Sequence, residues 1–111
     1  MAKTASRPIA RHAADAVALL GRSIRRARIE HGMTAAELAE RGGMSRGLVQ
    51  RIEAGDPGCS VGAVFEAATI VGLPLFEADG PAIAARLAET RRALQLLPSA
   101  VRHRSVADDD F

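Results

Sequence analysis

The residues best equipped for chemistry in this 111-residue chain are Arg46, Gln50 and Arg51. A guanidinium presents paired donors that match the O6 and N7 acceptors of guanine, and a glutamine amide matches adenine in the same bidentate way or touches phosphate. Arg46 and Arg51 are thus candidates for guanine, and Gln50 for adenine or phosphate. Leu48 offers an apolar contact for a thymine methyl, while Gly47 offers only backbone, which allows close approach or lessens direct readout. Other chemistries find little to use. His12, His31 and His103 are scattered, without metal-ligand spacing among themselves or toward Cys59. No nucleophile motif is present, and Gly55-Asp56-Pro57-Gly58 lacks the lysine and spacing of a phosphate loop. No enzymatic activity, cofactor or metal is expected.

A helix that reads bases needs a second helix to hold it, and residues 35–54 are patterned for two short crossed helices. Ala39 is small where the helices approach, and Gly43, four residues on, suits a tight turn at positive φ. Thr34 with Glu37 makes a capping box for the first helix, Ser45 an N-cap for the second, and Gly55 closes the unit as a C′ glycine. Val49 and Ile52 face inward, which leaves Arg46, Gly47, Leu48, Gln50 and Arg51 toward solvent. The unit reads as a helix-turn-helix whose second helix lies in the major groove of DNA, N-terminal residues toward the base edges. Its DNA-facing set includes Thr34 and Ser45 at the two helix starts.

Around this unit the spacing predicts helices over 15–31, 34–41, 45–54 and 60–71, with Val17, Leu20, Ile24 and Ala27 inward on the first. Pro81 suits a first helical position, and a fifth helix is expected to run to about residue 97. The chain has no Tyr or Trp and only three Phe, and its β-branched residues fall at helical spacing. The predicted fold is all-α, a five-helix domain with a flexible N-terminal arm and C-terminal tail. Its divisions are a basic arm at 1–14, the DNA-binding domain at 15–76, an additional helix at 77–97 and a tail at 98–111.

These blocks together resemble the Xre, or lambda-repressor-like, family of bacterial and phage regulators. Leu20-Gly21-Arg22-Ser23-Ile24-Arg25-Arg26-Ala27-Arg28 is similar to that family's first helix, ended by Gly32 before Met33-Thr34. Ser60-Val61-Gly62-Ala63-Val64 through Val71-Gly72-Leu73-Pro74-Leu75-Phe76 is similar to its fourth helix and the turn that follows. The resemblance implies a lambda-repressor-like fold that binds operator DNA, and a buried ion pair between Arg28 and Glu53 tying helix 1 to helix 3. The chain departs from the family at Ala35, where a polar residue, often glutamine, usually follows the threonine. The phosphate contact of that side chain is missing, so contacts are expected from Thr34, the helix N-terminus, Arg22, Arg41 and the N-terminal arm.

Gly-Asp-Pro after the reading helix, Ser-Val-Gly-Ala-Val-Phe-Glu in helix 4 and the ending Val-Ala-Asp-Asp-Asp-Phe resemble small HipB-like antitoxins within that family. This implies a repressor of its own operon that binds a HipA-like kinase toxin, with Asp108, Asp109, Asp110 and Phe111 as a partner-binding tail. A stand-alone regulator of the same family and a helical adaptor that binds only proteins stay open. Promoter binding excludes the adaptor, and co-purification of a kinase-sized partner excludes the stand-alone regulator.

The formal net charge is +2, but it is unevenly spread. Residues 1–58 hold ten Lys and Arg against six Asp and Glu, and residues 59–111 hold five against seven. The basic half contains the helix-turn-helix and the arm residues Lys3, Arg7 and Arg11, as expected of a surface that approaches phosphates. The single cysteine, Cys59, cannot form an internal disulfide and fits a reducing compartment. No apolar stretch reaches membrane-spanning length and no secretory segment opens the chain, so a cytoplasmic location is expected. One helix-turn-helix reads few base pairs, which predicts a homodimer on an inverted repeat with reading helices about 34 Å apart. Ile83, Leu87, Leu94 and Leu97, with Thr90 in the gap, form an apolar stripe on the fifth helix that either packs on the first four helices or meets its symmetry mate. Phe65, Leu75 and Phe76 are alternative interface residues.

Overall fold

A computed structural model of the protein describes residues 8–101. The chain divides into two compact units after Glu77. The first contains α1 (Arg11–Glu30), α2 (Ala35–Gly42), α3 (Arg46–Glu53) and α4 (Val61–Ile70), and the second contains α5 (Gly80–Gln95). Among the described residues there is no strand, and the fold is the all-α, five-helix one that the sequence predicts.

Three helix starts of the first unit are fixed by side-chain caps close at hand. Thr34 Oγ1 accepts the Glu37 amide at 3.0 Å, and the Thr34 amide donates to Glu37 Oε1 at 2.8 Å, completing the capping box. That bond from the Thr34 amide holds the Glu37 carboxyl below its usual range. Ser45 Oγ accepts the Leu48 amide at 3.0 Å, and Ser60 Oγ the Ala63 amide at 3.2 Å. Gly43 ends α2 at φ 63°, a left-handed conformation in which a Cβ would be strained.

The start of α1 differs from the expectation. The helix begins at Arg11, so residues 11–14 extend it and are not part of a basic arm. No breaker interrupts Arg11-His12-Ala13-Ala14, alanine and arginine favour helix, and the Ala14 amide closes the first turn on the Ala10 carbonyl at 2.9 Å. Lys3 and Arg7 lie outside the described residues. On its inner face α1 buries Gly21, Ile24 and Arg28, whereas Val17, Leu20 and Ala27 are only half-buried.

Ile24 of α1, Leu38 and Ala39 of α2, Val49 and Ile52 of α3, and Ala67 and Ala68 of α4 form the core with Met33 and Val71. The contact between α1 and α3 is made by backbone. A Cβ on Gly21 would overlap the Ile52 carbonyl oxygen and stand 3.0 Å from the Gly55 nitrogen, and one on Gly55 would stand 2.8 Å from Ala18 Cα.

After α4 the chain turns through Phe76 and Glu77, both at φ 54°, the pattern of a turn with two left-handed central residues. Such a conformation costs about 1–3 kcal/mol for each non-glycine residue. The Phe76 ring stacks edge-on against Phe65 of α4 with centroids 6.2 Å apart, which offsets part of that cost.

In the second unit, Asp79 Oδ1 accepts the Ala82 amide at 2.8 Å and caps α5, with Pro81 in the first turn one position later than expected. The helix ends at Gln95 rather than near residue 97, because Pro98 disfavours helical backbone at Leu97. No residue of α5 is buried, and Leu87, Leu94 and Leu97 of its stripe are exposed. No described helix is long and apolar enough to cross a membrane.

Candidate nucleic-acid interface

The outward face of α3 is set by what the inward face must bury. Val49 and Ile52 enter the core at 0% and 2% exposure, and Arg46, Gly47, Gln50 and Arg51 are left outside. Leu48 corrects the expectation that it faces solvent. It lies one turn before Ile52, is half-buried, and packs against the core, so it does not stand with the exposed readers.

Arg51 stays on the exposed face, as expected, and has a partner there. Glycine at position 55 makes a Schellman turn, in which the Asp56 amide bonds the Arg51 carbonyl and the Gly55 amide the Ile52 carbonyl, each at 3.0 Å. The turn brings the Asp56 carboxylate under Arg51, whose Nε donates to Oδ2 at 2.8 Å. Asp56 Oδ1 also accepts the Gly58 amide at 2.8 Å. The Arg51 bond, then the Gly58 bond, hold the Asp56 carboxyl below its usual range, and Asp56 in turn raises the Arg51 pKa. Arg51 is thus tied to the α3–α4 loop. Cys59, half-buried beside this pair, has its thiol pushed up by burial and is not activated.

Behind α3, Arg28 and Glu53 are 8% and 5% exposed. Arg28 Nε donates to Glu53 Oε2 at 2.6 Å and Nη2 to Oε1 at 3.0 Å, a bidentate pair, while Nη1 donates to the Met33 carbonyl at 2.9 Å. The hydrogen bonds to Glu53 raise the Arg28 pKa above its ordinary value. One guanidinium therefore fixes both the end of α3 and the α1–α2 turn.

Of the other expected contacts, Thr34 and Ser45 spend their hydroxyls on capping. Arg22, expected on phosphate, donates through Nη1 to the Glu53 carbonyl at 2.7 Å and so caps the C-terminal end of α3. Arg41 borders a separate cleft with His31, Gly32, Glu37 and the end of α4, apart from the residues around Gln50. Asp108, Asp109, Asp110 and Phe111 lie outside the described residues. Among the described residues no group of three His, Cys, Asp or Glu is placed to hold a metal ion.

Arg25 escapes a reading of the sequence alone. Its side chain is 58% exposed, with Nη1 4.0 Å from Glu53 Oε1. It lines a cleft of about 390 Å³ with Arg22 and Arg28 of α1, Ala35 of α2, and Gln50 and Glu53 of α3. Its three-residue offset from both Arg22 and Arg28 is the only sequence signal that it shares their helix face.

Residues 19–79 match the family model of a helix-turn-helix domain. The chain belongs to this helix-turn-helix family, a class of DNA-binding regulator. No curated protein and no solved structure matches it.

Proposed function

We propose that this protein is a sequence-specific transcriptional repressor of the Xre type, which binds an inverted-repeat operator as a homodimer and reads each half-site with α3. The observation that carries this reading is the outer face of the capped helix α3, where Arg46, Gly47 and Gln50 face solvent on a helix anchored from behind by Val49, Ile52 and Glu53. A major-groove helix needs that combination of rigid support and free polar side chains. Arg46 pairs with a guanine, Gln50 reads adenine or holds phosphate, and Gly47 lets the backbone approach closely. The protein acts by binding alone, without catalysis or cofactor.

Arg46→Ala is expected to cost about 1–3 kcal/mol of operator affinity and to relax preference at one base pair. Anisotropy titrations against operator duplexes with single base changes measure both, and an unchanged profile would remove Arg46 from the readers. Gly47→Ala separates stability from binding. A Cβ there meets nothing nearer than Ser45 Oγ at 3.9 Å, so the variant should gain up to about 1 kcal/mol in thermal melts. It should nonetheless bind operator more weakly, because the methyl occupies the space left for DNA.

The finer assignment is the antitoxin of a type II toxin–antitoxin pair, which represses its own operon and binds a HipA-like kinase toxin. It rests on the HipB-like blocks of the sequence, including Asp108, Asp109, Asp110 and Phe111. Affinity purification of the full chain from its native host, with mass spectrometry, tests it. A kinase that co-purifies with the full chain, and is lost when residues 105–111 are deleted, supports the assignment, and its retention on the truncated chain removes the tail from the interface.

A further inference from the structure

Arg51 shares its charge with a neighbour that is itself held in place. The Asp56 amide bonds the Arg51 carbonyl at 3.0 Å, its carbonyl accepts the Cys59 amide at 3.3 Å, and its Oδ1 accepts the Gly58 amide at 2.8 Å. The remaining oxygen, Oδ2, accepts Arg51 Nε at 2.8 Å. Glycine at position 58 lets the loop close this tightly, since a Cβ there would stand 3.2 Å from Asp56 Oδ1 and 3.5 Å from Arg51 Nη2. The pair nevertheless lies at the surface, with side chains 54% and 38% exposed, where an ion pair adds little to stability. Only Nε of the guanidinium is used. Nη1 and Nη2 donate none of the observed hydrogen bonds, which leaves their N–H groups as an end-on fork. Arg51 also stands one turn after Gly47 on the outer face of α3, so no side chain precedes it in that row. A Cβ at position 47 would meet nothing nearer than Ser45 Oγ at 3.9 Å.

We infer that Asp56 is a positioning residue for sequence recognition: it holds Arg51 at Nε, leaves the Nη fork to read a base edge, and withholds the cation from phosphate. The inference rests on the proposed function, in which α3 lies in the major groove. A guanidinium already held at Nε has given up the rotamer freedom that a free arginine loses on binding, and its fork suits O6 and N7 of guanine. A cation already matched by a carboxylate contributes less counterion release when it meets phosphate. Asp56 therefore favours the sequence-specific complex over the non-specific one.

The test is a double-mutant cycle on the full chain, with Asp56→Asn, Arg51→Ala and the double variant. Asparagine retains an oxygen for the Gly58 amide but turns its NH2 toward Arg51 Nε, and two donors do not bond. Each protein is titrated by anisotropy, over a series of salt concentrations, against the inverted repeat of its own promoter and a scrambled duplex of equal length. Asp56→Asn should weaken binding to the inverted repeat about 2- to 10-fold, the cost of ordering one long side chain on binding. It should also tighten binding to the scrambled duplex and steepen its slope of log K against log salt by about 1, because Arg51 is released to a phosphate. Neither effect should appear in the Arg51→Ala background. A fall in preference for the inverted repeat that requires Arg51 supports the inference. An unchanged or increased preference, or a fall that persists without Arg51, overturns it and leaves the proposed function standing. A wild type with no preference for the inverted repeat overturns both. With the pair exposed, the single variants should melt as the wild type does, which keeps folding out of the comparison.

Discussion

Glu53→Ala is expected to lose about 3–5 kcal/mol of stability, a large share of what a small domain has. The variant leaves the Arg28 guanidinium buried, with two of its three hydrogen bonds gone and no counter-charge within the same distance. The Met33 carbonyl remains as its acceptor, but a carbonyl does not neutralise a cation. For a domain of this size the melting temperature should fall by more than about 12 °C. The double variant Arg28→Met, Glu53→Leu should recover much of the loss, because removing both charges leaves neither one orphaned. Thermal melts followed by circular dichroism check both. A Glu53→Ala melt within a few degrees of the wild type would show that the pair is dispensable to the fold.

Gly21→Ala should destabilise by about 1–3 kcal/mol or more, although alanine is the better helix former by about 1 kcal/mol. The added Cβ falls on the Ile52 carbonyl and against the Gly55 backbone, and neither can swing aside as a side-chain tip would. The crossing of α1 over α3 must widen, which also pulls Arg28 from Glu53 and Arg22 from the end of α3. The same substitution at Gly47 is predicted to stabilise, since open space surrounds that position. Melts of the two variants side by side test whether backbone proximity, rather than glycine itself, sets the sign.

The parts of this fold that the sequence states most clearly are those settled within a few residues. Thr34 with Glu37, Ser45 before Arg46, and the glycines at 43 and 55 each act on the turn that contains them, and each marks a helix end in the structure. The inward positions Val49 and Ile52 follow from helical period alone. What escapes is decided between segments or by the absence of a signal. The start of α1 has no side-chain cap to announce it. Gly21 is an ordinary helical glycine until Ile52 and Gly55 are seen against it. Arg51 looks like a free reader of bases until the turn at Gly55 presents Asp56 to it. Arg25 is seen to border a cleft with Ala35 and Gln50 only once α1, α2 and α3 are packed together. For Gly21 and Arg25 the deciding neighbours come from other segments, and no local propensity encodes them.

In the proposed function α3 reads a DNA sequence. Its most direct test is an anisotropy titration of the full chain against the inverted repeat of its own promoter and a scrambled duplex of equal length, at one physiological salt concentration. Two chains per duplex are expected, with binding to the inverted repeat tighter by on the order of 10³-fold or more. Equal affinity for the two duplexes, or no binding to either, would contradict it.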